Sequence, residues 1–585
     1  MPKFPPNKYQ TEIIDWVKNG TGNALIDAKA GSGKTSTLEL IAQNYDRKML
    51  FLAFNNHIAA EINQKPELQP YLTKKEDGGK GTLKVMTVNS LGNMTVLNDL
   101  ATRKLYTFGK ENKFLDDNKL FRILRKIIED YCRTRHERVT EDMIWDMQRD
   151  LRKACDKVRC KYISGDRDYV ERIIEEDGLC KFNLIEREDG LSYPYLPWAS
   201  ICEEAIEKSL EMYAERGSYD FIEQLYIPVV NKLLLPNWMS WYSEFIGVDE
   251  AQDLSQLQLT FIKKLIPMQT PYRPKLPTRF LFVADRRQAI YAFAGADCHS
   301  VENIKKQFNT TDMGLNICYR CAKNIIEVAQ QEVPDIEAAP NAIDGEVHII
   351  DNEEIAKLIK PKGMAIARKN KDLAEIFLSI VLEGKPVYIK DKELVENTIK
   401  SIRSLGCSTL NGLTNKLDDL QKDFKKQMSN PENSKSASAI NNGNMDIFDT
   451  VKALLDFYIK EKGHSLNTPI EIFIEFIKEL LVTEPSDNAA IVSSIHQVKG
   501  LEADEVFIIN YNLMPYTSKT KSADENMQER NLKYIAVTRA RKVLYLCNGE
   551  LDEDEKKYYN QMTEEEIEQT RVVFENDFDD EDYIL

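Results

Sequence analysis

A lysine and a threonine stand side by side, Lys34-Thr35, at the end of the run Ala28-Lys29-Ala30-Gly31-Ser32-Gly33. Those residue types in that order suit a phosphate cradle. Glycines let backbone N–H groups turn inward, Lys34 reaches β- and γ-phosphates, and the Thr35 hydroxyl suits Mg²⁺. The pattern usually opens with glycine, and Ala28 stands there. The competing reading is a Gly/Ser turn with a chance Lys-Thr. Its flanks argue against that: Ala24-Leu25-Ile26-Asp27 reads as a buried strand, and Leu38, Ile41 and Ala42 recur at helical spacing after it. A second pair, Asp249-Glu250, follows the apolar run Phe245-Ile246-Gly247-Val248. Asp249 suits Mg²⁺ through water, and Glu250 suits orienting or deprotonating an attacking water. An acidic helix cap is the competing reading; beside a phosphate loop, the hydrolytic one is favoured.

Other candidates are weaker alone. Gln288 follows the run Phe280 to Ala284 and is placed to sense a γ-phosphate. Gln10 precedes the first amphipathic stretch, and its amide both donates and accepts, as an adenine edge requires. Tyr291 and Phe293 sit two apart on an exit loop, apt for base stacking. Phe54 ends the run Met49 to Phe54 and is a stacking platform or simply core. Between Leu120 and Lys161 basic residues outnumber acids, which reads as a solvated helical face or a phosphate-tracking surface. Cys318 and Cys321 form a lone CxxC, with no second pair or nearby His to make a metal site.

Parallel strands with loops at their ends must position these groups. Short apolar runs alternate with amphipathic stretches up to Val85–Val88, give way to helical patterns from about Met94 to Gly217, and resume at Phe245. A second such region holds runs at Val347–Ile350, Met364–Ala367, Pro386–Ile389, Ala489–Ser493, Glu505–Ile509 and Val543–Cys547. Helical sequence from about Asp391 to Asp487 interrupts it, with a Ser/Asn-rich stretch at Met428–Met445. At 585 residues the chain holds several domains. Ten scattered Cys suit a reducing cytoplasm. No apolar run has the length of a membrane span, and Met1–Gln10 has no signal-peptide core. The net charge of −16 argues against nucleic acid only globally, since a groove needs local basicity and much of the acid crowds Phe574–Leu585.

Read together in register from Asn7 to Leu546, these blocks resemble the UvrD/Rep-like superfamily 1 helicases, with a compactness closer to phage-type members. The resemblance implies an α/β fold: two RecA-like P-loop domains, parallel sheets with flanking helices, sandwiching ATP and each carrying a mainly helical insertion. The first domain would be residues 1–93 and 217–298, its insertion 94–216, the second domain 299–390 and 488–549, its insertion 391–487, and an acidic tail 550–585. Lys34, Asp249, Glu250, Gln288, Arg320 and Arg539 would be catalytic, Arg539 as arginine finger. Gln10, Ala30, Gly31, Ser32, Gly33, Lys34, Thr35, Ser36, Tyr319 and Glu502 would hold ATP, with Tyr319 on the adenine and Glu502 at the ribose. Thr35 and Asp249 would hold Mg²⁺. Phe54, Asn56, Phe221, Tyr291, Phe293 and His496 would line the single-strand path. The implied activity is ATP-driven 3′→5′ translocation on single-stranded DNA with duplex unwinding, in a bacterial or phage-infected cytoplasm. Alternatives are a DNA or RNA translocase that displaces proteins without unwinding, or a recruitment protein with a vestigial ATPase. Single strands and their junctions with duplex would be the partners. The acidic tail Phe574–Leu585 by its composition reads as a dock for a basic protein partner, a cover for the protein's own DNA groove, or a plain solubilising tail. The chain departs from the family at Ala294, where Arg is usual, at Asn89, where His is usual, and at Cys318 and Cys321, where Asn and Ser are usual.

Overall fold

The computed structural model describes residues 5–73, 81–109, 111, 113–161, 167–176, 179–180, 192–242, 244–266, 278–290, 299–390, 398–403, 405–428, 450–460, 465–481, 488–517 and 523–549. The chain divides into two compact units: Met1–Ala28 with Gly33–Leu315, and Lys29–Ser32 with Asn316–Leu585.

The first unit is built on six parallel strands: β1 (Asn23–Ala28), β2 (Met49–Ala53), β3 (Leu83–Thr87), β4 (Phe245–Val248), β5 (Arg279–Ala284) and β6 (Thr310–Leu315), in the order β3-β2-β4-β5-β1-β6. A parallel sheet covered on both faces wants apolar residues at nearly every position, and all of β2 and β4 is buried. Side chains alternate between the faces. Phe51, Phe245, Leu281 and Ile26 therefore meet Ile13, Val17, Leu38 and Ile41 on one side. Leu50, Leu52, Ile246, Val248, Phe280 and Phe282 enter the other core, which continues into the inserted helices through Leu124, Ile128, Met147 and Leu151. Those helices include Lys119–Thr134, Glu141–Lys161 and Trp198–Arg216.

β6 marks one difference from expectation. Its sequence, Thr-Thr-Asp-Met-Gly-Leu, carries no apolar run, because it is an edge strand whose outer residues stay wet. It pairs in parallel with β1 from Asn23↔Thr310 to Ala28↔Leu315. Helix Ser300–Phe308 and β6 thus fold with the first unit, although the sequence reading began the second domain at 299.

The second unit opens with a two-residue strand β7 (Ile317–Cys318), paired in parallel with β8 (Glu337–Ala338). Its main sheet comprises β9 (Glu346–Asp351), β10 (Met364–Ala367), β11 (Val387–Ile389), β12 (Ala490–Ser494), β13 (Ala503–Ile508) and β14 (Ala540–Asn548). All pairings are parallel, in the order β11-β12-β10-β13-β14-β9. Helices Leu410–Met428 and Ile470–Leu481 lie in the chain between β11 and β12. Their Leu413, Leu417, Phe473 and Ile477 share one core with Phe377, Val492 and Phe507.

Candidate active site

In the first unit the chemistry gathers where β1, β4 and β5 end. Helix Lys34–Asn44 begins at Lys34 and is capped by Gly33 at φ +83°. That left-handed backbone is open to glycine because it has no Cβ. Lys34 Nζ lies 2.5 Å from Glu250 Oε1. Burial would pull the Lys34 ammonium down, yet the charges of Glu250, Asp249 and Asp285 outweigh it and hold the group above its ordinary range. Glu250 itself sits at φ +48°, a conformation that costs a non-glycine residue roughly 1–2 kcal/mol. Its neighbour Asp249 extends the sheet, donating its N–H to the Leu52 carbonyl at 3.0 Å.

Asp249 is buried, and its Oδ1 has no hydrogen-bond partner among the described residues. Burial first, and the Glu250 charge second, push its carboxyl up to about 6 against the pull of Lys34. Thr35, Lys34 and Asp249 line one cavity. A buried carboxylate oxygen without a donor, facing the same cavity as a threonine, fits a hard cation or its water. Thr35 and Asp249 thus have the oxygen donors that a Mg²⁺ ion or its water would need.

A relay of hydrogen bonds continues from there. Gln252 Nε2 donates to Glu250 Oε2 at 2.6 Å, and Gln252 Oε1 accepts the Asp285 N–H at 3.0 Å. Gln288 Nε2 donates to Asp285 Oδ2 at 2.5 Å. Gln252 and Asp285, absent from the sequence-derived site, thereby connect Glu250 to Gln288. Their signal was their place at two strand ends, which composition could not turn into a contact. Gln10 closes the other side of the loop. It completes a capping box with Asn7 and donates to Thr37 Oγ1 at 3.2 Å. Ser36 is exposed.

In the second unit Arg320 Nε pairs with Glu502 Oε2 at 2.5 Å, and its Nη1 donates to the Thr538 carbonyl at 3.2 Å. Glu502, expected at a ribose, also lies 3.5 Å from Arg541. Arg539 is fully buried and donates to the carbonyls of Ile535 and Leu501 and to Thr538 Oγ1. Burial, then the neighbouring Arg320 charge, bring its guanidinium down to about 10. A buried cation held by neutral oxygens beside a second cation is an arrangement ready for an anion. The Tyr319 ring is half-exposed. The loop tip Lys29–Ser32 is grouped with this unit. There Ala30 N–H donates to Tyr534 Oη at 3.0 Å, the Gly31 carbonyl accepts Tyr319 N–H at 2.9 Å, and Ser32 Oγ is buried without a partner among the described residues.

Of the residues expected on a nucleic-acid path, Phe221 is 54% exposed, with its N–H on Asp117 Oδ1 at 3.1 Å. Phe54 is partly exposed at the end of β2, and Asn56 is exposed at the start of helix Asn56–Gln64. His496, partly buried, is pushed down to about 4 by burial and by Arg368, so it is neutral at physiological pH. Tyr291, Phe293 and Ala294 lie outside the described residues, as does most of Met428–Met445 and all of 550–585. Several arginines of the basic helices stand in ion pairs. Arg125 pairs with Glu129 and Glu141, both at 2.6 Å, Arg133 with Asp130 at 2.6 Å, Arg152 with Asp156 at 2.9 Å, and Arg122 with Asp116.

The sequence pattern of the UvrD/REP helicase N-terminal domain matches residues 9–309, and that of the UvrD-like helicase C-terminal domain matches residues 389–550. A probable DNA helicase II homolog of Mycoplasma pneumoniae is 23% identical over 90% of this chain and 82% of its own length. The ATP-dependent DNA helicase PcrA of Staphylococcus aureus strain NCTC 8325 is 22% identical over 93% of this chain and 83% of its own. PcrA of Staphylococcus epidermidis ATCC 12228 is 30% identical over a shorter span, 30% of this chain and 24% of its own.

Proposed function

The chain belongs to the UvrD/Rep-like superfamily 1 helicases, a DNA helicase with ATPase activity, and from that premise we propose that it translocates 3′→5′ on single-stranded DNA and unwinds duplex ahead of it. The ATP-hydrolysing part of this reading is supported by the constellation of Lys34, Asp249, Glu250, Gln252, Asp285 and Gln288 at the ends of parallel strands; the direction rests on the family resemblance. Phosphoryl transfer demands charge neutralisation and an oriented water more than covalent chemistry. Lys34 serves the β- and γ-phosphates, and Glu250 orients and deprotonates the water. Gln288 senses the γ-phosphate, with the Gln252–Asp285 relay linking it to Glu250. Thr35 and Asp249 are the residues that would hold Mg²⁺, which would neutralise phosphate charge when bound. Arg320 and Arg539 are the γ-phosphate cations of the second unit, Arg539 as arginine finger. Gln10 and Tyr319 recognise adenine, Glu502 the ribose, and the backbone of Ala30 to Ser36 the phosphates.

Phe54, Asn56, Phe221, Tyr291, Phe293 and His496 form the strand path. Stacking suits it, because every base offers a π-face and none need be read. The two helical segments, 94–216 and 391–487, are insertions in the two RecA-like domains, and the acidic tail recruits a protein partner. The proposed compartment is the cytoplasm; among the described residues no helix is long and apolar enough to cross a membrane. The test is strand displacement with ATP from duplexes bearing a 3′ or a 5′ single-stranded tail, alongside DNA-stimulated ATPase. Opening of the 3′-tailed duplex alone is expected. Preference for the 5′ tail overturns the direction. Stimulated ATPase with neither duplex opened favours a translocase that displaces proteins.

A further inference from the structure

We propose that Tyr534 is a positioning residue of the phosphate loop: its hydroxyl accepts the Ala30 N–H and so holds the loop tip in the shape that receives phosphates. The tip, Lys29–Ser32, folds with the second unit, and its bonds within that unit fix both its backbone and its one charged side chain. Ala30 N–H donates to Tyr534 Oη at 3.0 Å, and both residues are buried. The Gly31 carbonyl accepts the Tyr319 N–H at 2.9 Å. The Lys29 ammonium, itself buried, pairs with the half-exposed Asp335 carboxylate at 3.0 Å. The seat is also close. Gly31 turns at φ +65°, and a Cβ there would lie 2.7 Å from Arg320 Cβ and 2.9 Å from Cys318 Sγ.

The hydroxyl does more than fill a vacancy on one amide. A trans peptide is planar, with its N–H and carbonyl pointing in opposite directions. In the Lys29–Ala30 peptide the N–H points at Tyr534, and the carbonyl on the other side accepts the Ser32 N–H at 3.2 Å. Tyr534 therefore sets the plane whose far edge closes the tip into a turn. The tyrosine is well braced for this. It lies in helix Ala523–Val537, fully buried, and its carbonyl accepts the N–H and the hydroxyl of Thr538 at 3.1 and 3.0 Å.

An amide committed to Tyr534 is not offered to a phosphate, so the cradle narrows to the amides that follow Ala30. A buried backbone N–H is nearly always paired. Without the hydroxyl, the Ala30 N–H stays orphaned or its peptide plane rotates to find another partner, and rotation opens the Lys29–Ser32 turn. A nucleotide must then restore the turn as it binds. That cost falls on affinity rather than on the chemical step, because the bound state has regained its shape. The consequence for nucleotide rests on the proposed phosphate role of this loop; the hold on the loop does not.

The test is Tyr534→Phe in the full chain, which keeps the ring and removes the hydroxyl. Amide hydrogen exchange of the peptide spanning Ala30–Ser32 reads the hold itself; titration with N-methylanthraniloyl-ADP and steady-state ATPase read its use. Exchange in the nucleotide-free chain should be about tenfold faster, and the Kd for the ADP probe and the KM for ATP should both rise about tenfold, with kcat within about twofold. Asp335→Asn changes a half-exposed carboxylate and should move exchange, Kd and KM the same way by about twofold to fivefold; it decides alone if Tyr534→Phe fails to fold. Unchanged exchange overturns the proposal, as does an unchanged Kd beside a wild type that binds the probe. A fall in kcat at unchanged KM also overturns it, by placing the hydroxyl at the chemical step. A wild type that binds no ADP probe counts against the phosphate role of the loop, and exchange then decides the tyrosine's hold.

Discussion

At the scale of single residues, the Lys34–Glu250 contact is a ground-state pairing of two groups that the chemistry must separate. Glu250 accepts from Lys34 and from Gln252, and its backbone is held in a strained turn. Glu250→Gln keeps the shape and removes the base. ATP binding should change less than about threefold, while turnover falls by about 10²-fold or more. Single-turnover hydrolysis at the wild-type rate would remove Glu250 from the mechanism. Asp249 offers a second test because its carboxyl is raised to about 6. A carboxyl raised on folding contributes stability that is complete below its unfolded value of about 4 and is lost as pH rises through about 6. Activity runs the opposite way, since only the carboxylate serves Mg²⁺. Asp249→Asn should therefore cut ATPase by about 10²-fold or more yet raise Tm by about 2–4 °C at pH 8, with no gain at pH 4. Thermal melts at the two pH values check the sign. A loss of stability at pH 8 would mean that Asp249 is a net stabilising ion-pair partner.

At the scale of elements, legibility followed burial. The strands β1, β2, β4 and β5 were plain because buried parallel strands are nearly continuous apolar runs. β6 was hidden because half of it faces water, and β7 and β8 because two residues hold no period. Lys34, Asp249 and Glu250 were legible from type and spacing at strand ends. The Gln252–Asp285–Gln288 relay was not, since it joins groups in the turns that follow two different strands, one of them a backbone N–H. Equally hidden was what holds Phe221 up. Asp220 and Glu223 cap each other's N–H at 2.9 Å, Arg159 pairs with Asp220 at 2.8 Å, and Lys119 pairs with Glu223 at 2.5 Å. All four are buried, where removing one partner strands the other's charge. Arg159→Met should cost about 3–5 kcal/mol in urea unfolding. Arg159→Met with Asp220→Asn should recover much of it. If the single variant costs under about 1 kcal/mol, water reaches the network and it does not fix the Phe221 turn.

At the scale of the whole molecule, charge has to be read by where it is paired rather than by its sum. A chain of net charge −16 that works on DNA must keep its useful cations local. The inserted helices Lys119–Thr134 and Glu141–Lys161 are rich in arginine, but Arg125 and Arg133 already face Glu129, Glu141 and Asp130. A guanidinium so engaged offers a phosphate little, because contact with DNA would first break an existing pair. Arg125→Ala and Arg133→Ala should therefore leave single-strand affinity within about twofold. They should also leave the dependence of log affinity on log salt unchanged. Each phosphate contact on a single strand contributes about 0.7 to that slope. Fluorescence anisotropy of a labelled oligonucleotide across a salt series measures both quantities. A slope that falls by about 0.7 for each arginine removed would show that these pairs open onto the strand. The acidic partners would then act as a gate that sets non-specific affinity, rather than as the solvated face the ion pairs describe.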